Sequence, residues 1–363
     1  MKSLVVVAGV TVAAFLTIAM LGTAGWSLPP IAAQQHGFRG TGMDQIQTKR
    51  EAAADQAANQ APAAADPASA DGDKAGTTYH NVQVLKDLST EQFNRVMTSI
   101  TEWVAPEQGC TYCHNTENMA SDDLYQKKVA RRMLQMTQAI NGEWKEKHVH
   151  EAGVTCFTCH RGQPVPKNVW FENPGLTAKG LTEPRNNGQN MASPEVGLAS
   201  LPYDTLTEFL GKKGLDDNAI RVNATTALPE GKGKSIQDAE KTYGLMMHMS
   251  QSLGVNCTYC HNTRAMSQWP QSTPQRVNAW HGIRMVRALN GDYLEPLKGT
   301  FPENRLGPNG DVPKIGCGTC HNGQPKPLNG AHVIESYPEL AKATASAADA
   351  KPQPASPPAD APK

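Results

Sequence analysis

Eight cysteines constrain this chain more than any other feature, because all of them fall in four Cys-x-x-Cys-His motifs. The motif residues are Cys110, Cys113 and His114; Cys156, Cys159 and His160; Cys257, Cys260 and His261; and Cys317, Cys320 and His321. This motif is the attachment signature of c-type haem. Two thioethers clamp one porphyrin edge, and the adjacent histidine reaches the iron from one face. The sequence therefore predicts four covalently bound haem c groups, each with its motif histidine as one axial ligand.

Three other interpretations of the cysteines fit less well. A disulfide framework would not need a histidine after every pair, and a thioredoxin-like motif would occur once, in a βαβ context. A zinc site would take two Cys-x-x-Cys pairs per metal and would not use four matched histidines. The formal net charge of zero argues against nucleic acid as a partner, because phosphate binding needs a basic excess.

The N-terminus predicts export and membrane attachment. Residues 4–26 form an apolar run of 23 residues without a charge, whereas a signal-peptide core has about 7–15 residues and a membrane span about 20. We therefore expect residues 1–26 to be a single-pass anchor, although Ala32-Ala33 leaves a cleaved signal open. Lys2 precedes the run and the next Lys or Arg is Arg39, which predicts the inner membrane with the remaining chain on the periplasmic side.

Composition and internal repetition divide the rest of the chain. Residues 27–78 are predicted to be a flexible linker, because 51–76 hold almost no large apolar residue. The tetrahaem domain is expected at 79–340, and a disordered tail at 341–363. Within the domain, C-T-Y-C-H-N-T occurs at both 110–116 and 257–263, and the segment 156–164 is echoed at 317–325. The expected parts are halves 79–164 and 235–340 and an irregular connector 165–234 with a short helix near 203–210.

Apolar residues at helical spacing predict a helix before each motif. The predicted helices are 91–104, 123–141 ending at Gly142, 236–253 ending at Gly254, and 274–290 ending at Gly291. Ser89 and Gln92 make a capping box for the first of them. With almost no strand signal, the fold class is mainly α: a multihaem cytochrome c with two pseudo-repeated halves, each carrying two helix–loop–CxxCH units.

The second axial ligand decides between an electron carrier and an enzyme, because substrate chemistry needs an open iron position. Met97, Met133 and Met246 lie on the apolar faces of the helices before the first three motifs, and a thioether is a soft iron ligand. Each could instead be a flexible core residue, and Met136, Met247 and Met249 are competitors. For the fourth site the repeat nominates Met285, the counterpart of Met133. The other candidates there are His148, His150, His248 and His281.

Longer segments then suggest a family. They include Val82–Leu88, Met97–His114, Ala130–Met133, Gly153–Cys156, Ser252–Cys257, Ser272–Arg276 and Gly282–Arg287. In these segments, over residues 79–340, the chain resembles the tetrahaem cytochrome c subunit of photosynthetic reaction centres in purple bacteria. Some members are anchored through a lipidated N-terminal cysteine, and this sequence departs from that pattern.

The resemblance implies a set of ligands. Met97, Met133 and Met246 become the sixth ligands of the first, second and third haems. The fourth comes from a histidine of the first half, where His148 and His150 are both available and counting back from Cys156 favours His148. Met285 then becomes a core residue.

The resemblance also implies a function, that of an electron carrier rather than an enzyme. Electrons pass from a soluble periplasmic donor, such as a small cytochrome c or a high-potential iron–sulfur protein, through four haems to the photo-oxidised bacteriochlorophyll pair. The third haem is nearest the reaction centre and the first is most distal. The alternatives are a membrane-anchored multihaem quinol dehydrogenase and a multihaem reductase.

Charged side chains suggest two further roles. An acidic cluster around the first motif is either a docking surface for a basic donor or an ordinary solvated face; it comprises Glu102, Glu107, Glu117, Asp122 and Asp123. Four arginines are candidates for pairing with haem propionates: Arg131, Arg132, Arg276 and Arg284.

Overall fold

The N-terminal elements lead into the motif-bearing region. A computed structural model describes residues 2–23, 30–36, 43–173, 201, 204–211, 220, 222 and 235–341. The first elements are α1 (Lys2–Thr23), β1 (Ile31–His36), β2 (Met43–Thr48), α2 (Lys49–Ala58) and α3 (Ala75–Thr78). β1 and β2 form an antiparallel hairpin. The sequence did not predict it, because so short a hairpin holds few of the β-branched residues that mark strands.

Six helices build the motif-bearing region. They are α4 (Thr90–Val104), α5 (Tyr125–Glu143), α6 (Cys156–His160), α7 (Ile236–Leu253), α8 (Pro274–Ala288) and α9 (Cys317–His321). The order of long helix, motif, long helix, motif occurs in both halves. The first motif of each half lies on a 3₁₀ turn, Gly109–Tyr112 or Cys257–Tyr259, and the second lies on the one-turn helices α6 and α9.

Two of the predicted helix ends are confirmed. Ser89 Oγ accepts the Gln92 amide at 3.1 Å at the start of α4, and Gly254, with φ of 63°, ends α7 in the left-handed region that glycine tolerates. The predicted ends at Gly142 and Gly291 are wrong. α5 runs through Gly142 to Glu143, and α8 passes into a π-helical turn, Leu289–Leu294.

The larger apolar core joins α5, α7 and α8 to the connector. Leu206, Phe209 and Leu210 from the connector are almost fully buried there, and the π-helical turn Thr207–Gly211 corresponds to the short helix predicted near 203–210. Most of the predicted connector and nearly all of the predicted tail lie outside the described residues: 174–200, 202–203, 212–219, 221, 223–234 and 342–363.

The smaller core links the two ends of the motif-bearing region. Tyr337 packs edge-on against Trp103 of α4 at 4.6 Å between ring centroids, and its hydroxyl lies 3.1 Å from Ser99 Oγ. Arg95 stacks over the Tyr337 ring at 4.1 Å and forms a buried ion pair with Glu339 at 3.5 Å. The C-terminal segment of the second half therefore completes the core of the first.

The described residues 49–78 do not form the predicted flexible linker. Asn59 is fully buried and donates through Nδ2 to the carbonyl of Asn322 at 3.3 Å. Arg95 donates to the carbonyls of Asp66 and Ala65 at 2.7 and 2.8 Å. The linker prediction counted apolar side chains, whereas this segment is held through its main-chain carbonyls.

The predicted membrane anchor corresponds to α1. No helix in the part of the chain that the structure describes has the length and hydropathy needed to cross a membrane.

Candidate haem-binding sites

The eight motif cysteines all lie in the described part of the chain, and none is in a disulfide. Among the described residues, no group of three or more His, Cys, Asp or Glu side chains could hold a metal ion between them.

The four motif histidines share one hydrogen-bond pattern. Nδ1 of each ring lies 2.9–3.0 Å from a carbonyl oxygen a few residues further along the chain. The acceptors are Met119 for His114, Gln163 for His160, Met266 for His261 and Gln324 for His321. A ring that donates through Nδ1 has Nε2 left as its metal-binding nitrogen and is held in orientation. All four histidines therefore have the same tautomer, in which Nε2 could bind a metal.

The protonation state of these rings also suits a metal. Burial lowers the pKa of His160 and of His261. Burial, reinforced by the neighbouring His148, lowers the pKa of His321 to about 4. These three imidazoles are therefore neutral near pH 7, as metal ligation requires.

The predicted methionine ligands occupy the margins of the cores. Met97, Met133 and Met246 are each half-buried and packed against a core cluster. Met136, the competitor of Met133, is buried inside the larger core with 9% of its surface exposed. A half-buried thioether at the edge of a core is more accessible to a haem iron than a thioether enclosed in the core.

The third motif borders a cavity of about 950 Å³. Its lining includes Cys257, Cys260 and His261 together with Met246. The motif residues and Met246, the predicted second ligand, therefore border the same cavity. Met249 also lines it. Most of the exposed lining is apolar, with Arg276 at the wall, which suits a flat apolar ring system with charged substituents.

The fourth motif has a histidine from the other half beside it. The ring centroids of His148 and His321 are 6.2 Å apart. Two imidazoles bonded to opposite sides of one metal at about 2 Å each have centroids roughly 6 Å apart. Nδ1 of His148 lies 3.0 Å from the carbonyl of Asn278, so this ring follows the same pattern as the motif histidines.

Of the other candidates for the fourth site, His248 also lies beside the motif, since a Cβ added at Gly316 would lie 3.0 Å from its Nε2. His150 and Met285 lie elsewhere. His150 is exposed and has a positive φ of 49° at the end of a π-helical turn, Lys145–Val149. Met285 is 8% exposed within the larger core, as expected of a core residue.

The second and fourth motifs are direct neighbours. α6 and α9 are in contact, the thiols of Cys159 and Cys320 lie close enough to shift each other's pKa, and Arg161 donates to the carbonyl of Cys320 at 3.0 Å. α6 and α9 therefore meet where the two halves join.

Two buried asparagines position the second motif of each half, and sequence reasoning missed them. Asn141 donates to the carbonyl of Val154 at 2.9 Å and accepts its amide at 2.8 Å. Asn290 does the same with Ile315 at 3.0 and 2.9 Å. Val154 and Ile315 each lie two residues before a motif cysteine. The signal was the repeated Asn-Gly pair at 141–142 and 290–291, which was interpreted only as a helix end.

Replacing Asn290 with alanine should lower the free energy of unfolding by about 2–3 kcal/mol, because buried backbone groups of Ile315 lose their partners. Asn141→Ala should have a similar effect at Val154. Thermal unfolding of the purified protein measures both. The control is Asn309→Ala, which removes an exposed hydrogen bond and should cost less than about 1 kcal/mol. Equal effects at all three positions would contradict the positioning role.

The arginines predicted to meet propionates have different surroundings. Arg131 forms a two-pronged salt bridge with Asp122, at 2.8 and 2.7 Å, and Arg132 stacks over Tyr293 at 4.6 Å. Arg284 lies over Trp280 at 4.6 Å. Arg276 stacks over Trp269 at 4.2 Å and lines the cavity of the third motif.

The Asp122–Arg131 bridge predicts a pH dependence. Its hydrogen bonds hold the pKa of Asp122 at about 2, below the value near 3.9 of an unfolded chain. A depressed carboxyl pKa contributes stability above pH 4 that is lost as pH falls towards 2. Because Asp122 is partly exposed, we expect less than about 1 kcal/mol. Unfolding of the wild type and Asp122→Asn across pH 2–6 should show a difference that shrinks below pH 4. A difference that stays constant with pH would contradict this assignment.

Comparison with known proteins gives consistent matches over most of the chain. Residues 27–341 match the family model of the photosynthetic reaction centre cytochrome C subunit. The photosynthetic reaction center cytochrome c subunit of Rubrivivax gelatinosus is 51% identical over 337 residues, which cover 92% of this chain and 90% of that protein. Its counterpart in Thermochromatium tepidum is 46% identical, covering 92% and 80%. The one in Roseobacter denitrificans is 45% identical, covering 72% of each chain.

Proposed function

The chain belongs to the photosynthetic reaction centre cytochrome c subunits, and from that premise we propose that four haem c groups carry electrons through it from a soluble donor to the photo-oxidised bacteriochlorophyll pair. It is an electron carrier with covalently bound haem c rather than an enzyme. It works with the reaction centre and is associated with the membrane. Family membership favours this role over that of a quinol dehydrogenase.

The observation that carries the count of four is the shared geometry of the motif histidines. Each of the four commits Nδ1 to a carbonyl, and each follows a cysteine pair. When bound, haem c supplies a one-electron redox centre at each motif. At each motif the histidine Nε2 would bind the iron, and the two cysteines would attach the porphyrin through thioether bonds.

The opposite faces are closed by Met97, Met133, Met246 and His148 in this proposal. The half-buried positions of the methionines and the 6.2 Å separation of His148 and His321 support it. If these side chains bound the irons opposite the motif histidines, no position would be left for a substrate. Methionine raises the potential of a haem and histidine in its place lowers it, so the fourth haem should be the lowest of the four.

The contact between the second and fourth motifs supports an order of the haems. Because Cys159 and Cys320 are neighbours, the second and fourth haems form the middle of the path. The first and third then lie at its ends. By resemblance the third faces the reaction centre and the first faces the donor.

The decisive experiment is flash-induced haem oxidation in membranes that contain the reaction centre. One haem should be oxidised after the flash as the bacteriochlorophyll pair is re-reduced, and the soluble donor should then refill it. If no haem is oxidised after the flash, the proposed function fails.

The donor surface is proposed around the first motif. Glu102, Glu107, Glu117 and Asp123 are exposed there, whereas Asp122 is already paired with Arg131. Glu107→Lys/Glu117→Lys should lower the association rate of a basic donor and weaken its salt dependence, as flash kinetics at several ionic strengths would measure. Glu335→Lys, an exposed reversal on the C-terminal segment, is the control. An unchanged rate and salt dependence in the first variant would leave this cluster as an ordinary solvated face.

Membrane attachment is proposed to rest on α1. Residues 4–26 carry no charge, and Phe15, Leu16 and Ile18 of α1 are exposed. A variant without residues 2–26, exported by an unrelated cleavable signal, should be released when the membranes are washed at high pH. Retention equal to that of the full chain would contradict this assignment.

A further inference from the structure

We propose that Gly282 is a positioning residue for the fourth haem, because it provides the space in which His148 presents its ring to that iron. This inference rests on the proposed ligation by His148 and goes beyond it. A glycine in α8 would allow His148, which belongs to the first half, to reach the fourth haem in the second half.

The imidazole of His148 lies edge-on against Gly282. A Cβ atom at position 282 would lie 2.6 Å from Cε1 of His148, and 3.1 and 3.2 Å from Nδ1 and Nε2. All three ring atoms of that edge face the glycine, including the nitrogen that would bind the iron. A side chain at position 282 would therefore have to displace the ring.

The hydrogen bond that orients His148 depends on the same space. Its acceptor is the carbonyl of Asn278 at 3.0 Å, on the turn of α8 that precedes Gly282. In an α-helix that carbonyl also accepts the amide of the residue four positions later, here Gly282. A second donor can approach from the side only where residue 282 leaves the carbonyl uncovered.

A glycine inside a helix requires a reason, because it destabilises the helix relative to alanine. Gly282 is buried in the interior of α8. The corresponding position of α5, three residues before Met133, is Ala130. In α5 the proposed ligand is Met133 of the same helix, so no histidine ring from another segment has to pack against position 130. In α8 the counterpart Met285 is buried in the core. The glycine is therefore found in the helix where the proposed ligand is His148 and not the helix's own methionine.

The test is Gly282→Ala in the full chain loaded with haem. We expect one haem to lose its bis-histidine signature in electron paramagnetic resonance and to shift in potential, while the other three keep theirs. Haem content, measured by mass, should remain unchanged. Gly142→Ala is the matched control, since it lies in α5 with nothing within 4 Å of an added Cβ. It should leave every haem unaltered.

A double variant separates positioning from a general packing defect. A methionine at position 148 is flexible and needs no flat cleft. Gly282→Ala should therefore have no further effect on the fourth haem in a His148→Met background. If Gly282→Ala alone prevents assembly, His148→Met should restore it. The same defect in both backgrounds would overturn the proposal.

The outcomes also separate this proposal from the ligand assignment. If His148→Met alters no haem, the ligation by His148 fails and the role of Gly282 fails with it. If His148→Met alters one haem and Gly282→Ala alters none, only the positioning role of Gly282 is overturned.

Discussion

Replacing His148 with methionine should raise the potential of one haem, the fourth, by on the order of 0.1 V or more, within the roughly 0.8 V that axial ligands span. The reason is that a thioether stabilises the reduced iron more than an imidazole does. A redox titration of the purified protein, followed in the haem absorption bands, measures the change. The lowest of the four potentials should move towards the other three, because all four haems would then have histidine and methionine as ligands.

Two neighbouring substitutions make this result specific. His150→Met changes the other histidine of the same stretch, which is exposed, and should leave all four potentials where they are. Met285→Leu replaces a buried core residue with one of similar volume and should do the same. A potential that moves with His150 or Met285 rather than with His148 would contradict the ligand assignment.

The geometry around His148 shows why sequence reasoning left this ligand open. The repeat nominated Met285 because it matches Met133 in the other half, and a repeat carries no record of a ligand exchanged between halves. A residue near Met285 did carry a signal, because Gly282 stands where the first half of the repeat has Ala130. A helix-breaking residue in a strongly helical pattern is informative when its partner in the repeat is alanine.

Local signals predicted the helices well and the long-range contacts poorly. The cap of α4 at Ser89 and the glycine end of α7 depend on residues within a few positions of each other, and both are confirmed. The ends at Gly142 and Gly291 were wrong because Asn141 and Asn290 bind residues 13 and 25 positions further on. Tertiary contacts of this kind override local propensity.

The prediction of a flexible linker failed for a related reason. Low apolar content shows that a segment cannot form its own core. It does not show whether neighbouring side chains will bind its backbone. Arg95 and Asn329 donate to carbonyls of residues 56–66, and both donors lie outside the segment whose composition was considered.

Removing the third haem should have the largest effect of any change considered. Cys257→Ala/Cys260→Ala eliminates both thioether attachments, so the haem content measured by mass should fall from four to three. Flash-induced re-reduction of the bacteriochlorophyll pair through this chain should be lost, because the proposed order makes the third haem the exit. Thermal stability should also fall, because the apolar cavity of about 950 Å³ beside the motif would be left unfilled.

The matched variant at the other end of the path is Cys110→Ala/Cys113→Ala. It also removes one haem, and both motifs lie on 3₁₀ turns with one exposed cysteine each. Re-reduction after the first flash should survive in this variant, because the remaining haems still lead to the reaction centre. Resupply by the soluble donor should fail on later flashes, since the entry haem is absent. Identical kinetics in the two variants would show that losing any haem disables the assembly. Loss of first-flash re-reduction only in the Cys110/Cys113 variant would reverse the proposed direction of the path.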